Sequence, residues 1–140
     1  MKKILFIILF ISPFLLKAQC NQTLVDIAVK DLKGAASYLK DFKVRLKAQE
    51  PRKQQPVAKF SITLSKGQSY RFNVAADKGL PGQPIIQLYD GNKLQGSSFF
   101  KGKDYKSFDF PCTKTGQYLV FITFNEGKEG CAAGVLSVLK

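Results

Sequence analysis

The sequence lacks several residue types on which common enzyme chemistry depends. Its 140 residues include no histidine and no tryptophan. The absence of histidine excludes Ser-His and Cys-His nucleophile pairs and removes the commonest metal ligand. Neither a Cys-x-x-Cys pair nor a GxxxxGK phosphate loop occurs, so zinc, thioredoxin-type and nucleotide sites of those kinds are unsupported. We therefore expect a protein that is not an enzyme and that uses no cofactor or metal.

Acidic residues are also scarce, since 10 Asp and Glu stand against 22 Lys and Arg. The acids that a glycosidase would need show no diagnostic pairing, and we interpret them as turn and surface residues: Asp90, Asp104, Asp109, Glu126 and Glu129. Asp90 and Asn92 could offer oxygens to calcium, although the turn at Asp90-Gly91 explains both and the sequence leaves calcium open. The positive charge favours either anionic partners or simple solubility.

The first residues have the pattern of a secretory signal peptide. Lys2 and Lys3 precede an apolar run over residues 4–16, and Ala18 offers a cleavage position. The run is shorter than the roughly 20 apolar residues of a transmembrane helix. We expect residues 1–18 to be removed, leaving a secreted or periplasmic chain with no transmembrane segment and 19 basic residues against 10 acidic ones.

Three cysteines remain after this cleavage, namely Cys20, Cys112 and Cys131. An odd number in an oxidising compartment predicts one disulfide at most. The strand predicted between Cys112 and Cys131 would separate them by about 23 Å, whereas bridged Cα atoms lie within about 7 Å. The sequence therefore predicts a disulfide between Cys20 and either Cys112 or Cys131, and we choose Cys131 as the partner. Lipidation of Cys20 is the alternative, but Gln19 stands where a lipoprotein has a small residue.

Hydrophobic spacing predicts a mainly β protein with a short N-terminal helix. Helical spacing covers residues 21–40, with Asn21 or Thr23 as the N-cap, and period-two alternation follows over residues 42–47. Residues 48–56 form a linker, and residues 57–140 contain short strands separated by turns. We predict a β-sandwich or jelly roll of seven or eight strands. Segments 19–56 and 57–140 are expected to make one folded unit.

Three stretches resemble bacterial pre-peptidase C-terminal (PPC) domains. These are Phe60-Ser-Ile-Thr-Leu-Ser-Lys-Gly-Gln-Ser-Tyr-Arg-Phe, Ile86-Gln-Leu-Tyr-Asp-Gly-Asn-Lys-Leu, and Phe108-Asp-Phe followed by Gly116-Gln-Tyr-Leu-Val-Phe-Ile. The resemblance covers residues 57–139 and implies a small non-catalytic jelly roll, of a kind often appended to secreted enzymes. Gly116-Gln-Tyr118 also resembles the tyrosine corner of immunoglobulin-like folds. With no enzyme attached, we expect a free-standing secreted protein.

One candidate binding surface is basic. Lys43, Arg45 and Lys47 alternate with apolar residues and should line an outer edge of the sheet, and Arg52 and Lys53 follow in the linker. This basic face would bind an anionic envelope surface or polysaccharide. Alternatively, the charges prevent strand-to-strand aggregation, a known use of lysine on exposed edges.

The second candidate surface is aromatic. Most of the 12 Phe and 5 Tyr fit core positions, but Phe99 and Phe100 are adjacent and cannot both face inward on a regular strand. With Lys101, Lys103 and Tyr105 they could form a binding edge.

These surfaces favour a secreted, non-catalytic binding or accessory protein with a basic surface. The alternative is a structural or adhesion component of a cell-envelope assembly that holds a protein partner. Nucleic acid is disfavoured, because the chain lacks the interleaved basic and aromatic platform that binds single strands.

Overall fold

The computed structural model describes residues Cys20–Lys140, so the predicted signal peptide lies outside the described residues. One helix, α1 (Gln22–Lys30), precedes the strands. The strands are β1 (Ala36–Leu46), β2 (Ala58–Leu64), β3 (Ser69–Ala76), β4 (Pro84–Asp90), β5 (Lys93–Ser97), β6 (Phe99–Phe100), β7 (Lys103–Asp104), β8 (Ser107–Pro111), β9 (Gly116–Phe124) and β10 (Gly130–Leu139). The prediction of a mainly β protein with a short N-terminal helix is confirmed.

Eight of these strands form two four-stranded antiparallel sheets. The first, sheet A, has the order β1-β10-β3-β8, and the second, sheet B, has the order β2-β9-β4-β5. Successive strands alternate between the sheets except at the β4–β5 hairpin, which gives the connectivity of a jelly roll. The short strands β6 and β7 pair only with each other. Strand β1, from the predicted segment 19–56, is thus part of the sandwich.

The helix α1 is shorter than the predicted helix over residues 21–40. Its N-cap residue is Asn21, whose side chain accepts a hydrogen bond from the Thr23 backbone N–H. It ends before Lys33 and Gly34, which both have positive φ angles of 50° and 74°. Since glycine adopts that conformation at little cost, Gly34 terminates the helix. The residues from Ala36 onward are already in β1, so the later part of the helix prediction is wrong.

The main core lies between the two sheets. Alternate residues of each strand point into it, so Phe42 and Val44 of β1 are buried while Lys43 and Arg45 are exposed. The largest fully buried side chains are Phe42, Phe72, Phe124, Leu64, Ile86, Leu88, Ile122, Val25 and Val120.

Strand β10 is buried on both faces. Its inner residues Ala132 and Leu136 pack in the main core, while Ala133 and Val135 pack against the apolar side of α1. Residues 118–124 are also apolar on both faces, which from sequence alone predicts a doubly buried strand. That prediction is wrong: the segment, in β9, is central in sheet B, but its outward-facing Leu119, Phe121 and Thr123 are partly exposed.

The predicted tyrosine corner has the expected hydrogen bond. The Tyr118 hydroxyl donates to the backbone oxygen of Lys114 at 2.7 Å. Burial, together with a hydrogen bond to the Cys112 thiol, raises the pKa of Tyr118 to about 12, so the hydroxyl keeps its proton, and the hydrogen bond, throughout the neutral range.

Gly130→Ala tests the packing at the start of β10. A Cβ at Gly130 would lie 2.1 Å from Cδ1 of Phe124, a fully buried ring that has no room to move. We expect the substitution to lower the free energy of unfolding by about 1–3 kcal/mol, measured by urea denaturation.

Gly116→Ala is the matched control, since a Cβ at Gly116 meets nothing within 4 Å. It should change the free energy of unfolding by no more than about 0.5 kcal/mol. Equal effects of the two substitutions would contradict the packing of Phe124 against β10.

Candidate functional site

A two-stranded hairpin protrudes where the chain passes from β5 in sheet B to β8 in sheet A. Phe99 pairs with Asp104 and Phe100 pairs with Lys103. The turn residues Lys101 and Gly102 both have positive φ angles, 49° and 76°, as tight two-residue hairpin turns require.

The base of the hairpin is anchored to the sandwich by Ser98, which is 1% exposed. The Ser98 hydroxyl oxygen accepts from the Ile86 N–H at 3.0 Å, and the Ser98 N–H donates to the Ile86 oxygen at 2.9 Å. The Tyr105 N–H then donates to the Ser98 oxygen at 2.6 Å. The hairpin therefore rises from a fixed, hydrogen-bonded base.

The hairpin exposes large apolar side chains. Phe99 is 41% exposed, Phe100 is 58% exposed and Tyr105, directly after the hairpin, is 49% exposed. The Lys101 ammonium lies 5.3 Å from the centroid of the Phe100 ring, within reach of a cation–π interaction. We call residues Phe99–Tyr105 the aromatic hairpin. Both phenylalanines are exposed, which agrees with the prediction that they could not both face inward.

A groove of about 700 Å³ lies beside α1 and reaches the aromatic hairpin at Tyr105. One wall is formed by Leu24, Ile27 and Asp31 of the α1 region. The facing wall comes from residues 74–78 at the end of β3 and from the start of β4. We call it the α1 groove. Its lining combines the exposed side chains of Ile27 and Tyr105 with charged residues, so it suits a partly apolar ligand.

The predicted basic residues are all exposed. Lys43 and Arg45 lie on β1, and Lys47 directly follows it. Arg52 and Lys53 lie in a turn whose neighbour Gln49 is hydrogen-bonded to Gly127.

Two of these five cations form ion pairs. Arg45 contacts Glu129 at 3.4 Å, and Lys53 contacts Glu50. Exposed pairs of this kind contribute little to stability, but they lower the local positive charge. The basic face is therefore less cationic than its sequence indicates.

The two predicted surfaces are not brought together. Strand β1 and strand β8 are the opposite edges of sheet A. The basic face lies along the β1 edge, whereas the aromatic hairpin leads into β8. A single ligand that contacts all seven predicted binding residues would have to wrap around the sandwich.

The cysteines are arranged as predicted. Cys20 and Cys131 form a disulfide with a Cα–Cα distance of 5.4 Å, and Cys112 is a buried thiol. The bridge uses the Cys20 sulfur that lipidation would need. It also attaches the start of α1 to β10, while the Asn73 side chain binds the Ala28 oxygen at 2.7 Å further along α1. Both contacts fix the wall of the α1 groove.

Neither a membrane-spanning helix nor a metal cluster is found in the described part of the chain. No helix within residues 20–140 is long and apolar enough to cross a bilayer. In the same range, no three His, Cys, Asp or Glu residues are grouped so that they could hold a metal ion. Asp90, the candidate calcium ligand, forms an ion pair with Lys114 at 2.8 Å.

Sequence reasoning missed the α1 groove because it placed the helix over residues 21–40. The Lys33-Gly34 pair was the available signal, since a glycine after a basic last turn marks a helix end. A helix ending near residue 31 would have left residues 36–46 as one long strand. The position of α1 on the outer face of sheet A, however, depends on tertiary packing that periodicity does not report.

Removal of the disulfide by a Cys20→Ser/Cys131→Ser double substitution should lower the free energy of unfolding by about 2–5 kcal/mol. The two cysteines are 111 residues apart in sequence. Loss of the bridge therefore raises the conformational entropy of the unfolded chain and detaches the start of α1 from β10. Urea denaturation measures the effect.

The reducing agent dithiothreitol supplies the control. It should lower the stability of the wild-type protein toward that of the double variant and leave the variant unchanged, although Cys112 is still present. A variant that remains sensitive to dithiothreitol would contradict the Cys20–Cys131 pairing.

Comparison with known proteins identifies a shared fold. No protein-family model matches the chain, and no curated protein matches it. Among solved structures, the chain is similar to PliG of Aeromonas hydrophila, described as a periplasmic lysozyme inhibitor of g-type lysozyme. The TM-score is 0.53 at 11% sequence identity, and the match covers 76% of this chain and 89% of that chain. The chain therefore has the fold of a β-sandwich that also occurs in a periplasmic inhibitor protein.

Proposed function

We propose that this chain is a secreted or periplasmic, non-catalytic binding protein, and that the aromatic hairpin contacts a partner protein. The observation that carries the proposal is the exposure of Phe99, Phe100 and Tyr105 on one anchored element. Exposed large apolar side chains grouped on one element are typical of interaction sites, because their burial against a partner is favourable.

The chemistry of the hairpin fits a protein interface. Aromatic residues are enriched at the buried centre of such interfaces, and a cation at the edge adds orientation. Burial of one exposed phenylalanine against a partner gives about 1.5–3 kcal/mol. The anchored base at Ser98 means that little ordering entropy is lost on binding.

Three further observations support an extracytoplasmic binding role. The disulfide is typical of an oxidising compartment. PliG, which has the same fold, is described as periplasmic and as an inhibitor of a protein, g-type lysozyme. The resemblance to PPC domains over residues 57–139, which no family model supports, would fit the same role.

Site-specific photo-crosslinking tests this proposal. With a benzophenone amino acid in place of Phe100, irradiation of the producing cells should give one protein adduct of defined mass. The matched control carries the same group at Tyr38, which is 45% exposed but lies on β1 at the opposite edge. We expect no adduct there.

Adducts at both positions, or at neither, would contradict a partner at the aromatic hairpin. A ladder of adducts containing several copies of the chain would favour the alternative of an envelope assembly. Purified g-type lysozyme is the first defined protein to test in this format, because PliG is an inhibitor of that enzyme.

The basic face supports a second candidate function, which is binding to an anionic envelope surface. Lys43, Arg45 and Lys47 are all exposed along an edge strand. Such an attraction weakens with salt, because the Debye length is about 8 Å at physiological ionic strength. The competing role of these charges is to keep the β1 edge from pairing with another chain.

Replacement of Lys43, Arg45 and Lys47 by serine separates these roles. We expect co-sedimentation with anionic vesicles at low salt to fall, while neutral vesicles bind neither protein. A control with Lys59, Lys66 and Lys93 replaced by serine removes the same charge elsewhere and should retain binding. Unchanged sedimentation would disprove the binding role, and a loss of solubility would instead support protection of the edge.

A further inference from the structure

The start of α1 is held in place by a covalent bond at the first residue that the structure describes. Cys20 is joined to Cys131 of β10 and lies just before Gln22, where α1 begins. The helix in turn covers Ala133 and Val135 on the outer face of sheet A. Loss of the chain end up to and including Cys20 would therefore remove the covalent tie between the helix and the strand that it covers.

The same bond restricts how the exported chain can be processed. Lipoprotein processing would attach lipid to the Cys20 sulfur, and that sulfur is already bonded to Cys131. Cleavage after Ala18, which the sequence predicts, leaves Gln19 as the first residue of the mature chain. Gln19 lies outside the described residues, and the inference rests on this predicted cleavage and on the covalent chemistry of glutamine.

An N-terminal glutamine can close into a ring without any other reactant. The α-amino nitrogen attacks the side-chain amide carbon Cδ, so that an N–Cδ bond forms and the Cδ–Nε2 bond breaks. Nitrogen Nε2 takes up one hydrogen from the α-amino group and leaves as ammonia, and a five-membered lactam, pyroglutamate, remains. The attack requires an unprotonated amine, which a chain terminus supplies because α-amino groups titrate close to neutrality. No oxidant, reductant or cofactor is consumed.

We propose that residue 19 of the exported protein is pyroglutamate, formed from Gln19, and that this ring closes the chain end beside the disulfide anchor to aminopeptidases. Those enzymes need a free α-ammonium group, which the lactam lacks, and Gln19 alone separates the mature terminus from Cys20. Loss of the charge also suits the helix. The first turn of α1 has no acidic residue, so no carboxylate there would offset an α-ammonium near the positive end of the helix dipole.

Intact mass spectrometry of the exported, disulfide-bonded protein, chilled at once after collection, tests the modification. We expect a mass lower by one ammonia, about 17 Da, than that of residues 19–140 with an unmodified terminus. N-terminal sequencing should also give no signal until pyroglutamyl peptidase has removed the ring. Gln19→Asn is the matched control, because its shorter side chain would have to form a strained four-membered ring. That variant should keep a free terminus and give a readable sequence.

The measured mass separates the cleavage from the ring closure. A chain that starts at residue 19 but keeps the ammonia would overturn the modification and leave the predicted cleavage intact. A lipid-modified terminus, or a first residue other than 19, would overturn both.

Digestion with a broad-specificity aminopeptidase tests the protective role. The wild-type protein should keep its mass, whereas Gln19→Asn should lose its first residue under the same conditions. Equal trimming of the two proteins would overturn the protection, and so would resistance of the variant, because the chain end would then be shielded by the fold and not by the ring.

Discussion

The burial of β10 on both faces is the constraint on which the rest of the structure depends. On one side β10 contributes Ala132 and Leu136 to the core between the sheets, and on the other it presents Ala133 and Val135. The outer pair would face water if α1 did not cover it. On the inner side, β10 also needs a small residue, because a Cβ at Gly134 would lie 3.1 Å from both Ile86 and Ile122 of sheet B. The helix is thus a required part of the sandwich and not an appendage.

The local β pattern was predictable from sequence, and the placement of α1 was not. Alternation of Phe42 and Val44 with Lys43 and Arg45 reports which side of one strand is buried, and the structure agrees. Strand length disfavoured a Cys112–Cys131 bridge and so left Cys20 with one of these two partners, of which the structure has Cys131. By contrast, doubly buried β10 and half-buried β9 are both apolar runs, and only the position of the helix distinguishes them.

The candidate sites also divide into features that local sequence patterns predict and features that depend on tertiary packing. Adjacency alone predicted that Phe99 and Phe100 could not both be buried, and both are exposed. The small cleft lined by Lys33, Arg71 and Lys106 could not be predicted, because these residues come from separate parts of the chain and converge only through the docking of α1 on β3. Charge balance was equally hidden, since Glu129 meets Arg45 across the β1–β10 pairing. Sequence patterns predict which side chains of a single strand share a face. They do not predict a site whose side chains come from several elements.

The basic face and the aromatic hairpin occupy opposite edges of sheet A, so the width of that sheet separates them. The outward-facing side chains of sheet B are partly exposed, and Phe121 and Tyr89 among them pack on each other, with ring centroids 4.7 Å apart.

The pairing of β1 with β10 also sets the order in which the molecule can assemble. The first strand needs the last one as its neighbour in sheet A, and the helix before it needs the same strand for its apolar side and for its disulfide. Contacts over such long separations form slowly, because loop closure precedes any gain from burial. A chain still under synthesis, lacking Gly130–Leu139, has no surface on which α1 and β1 can settle. It therefore cannot complete sheet A or bury the apolar side of α1 until its final strand is available, so native packing has to follow the synthesis of Gly130–Leu139.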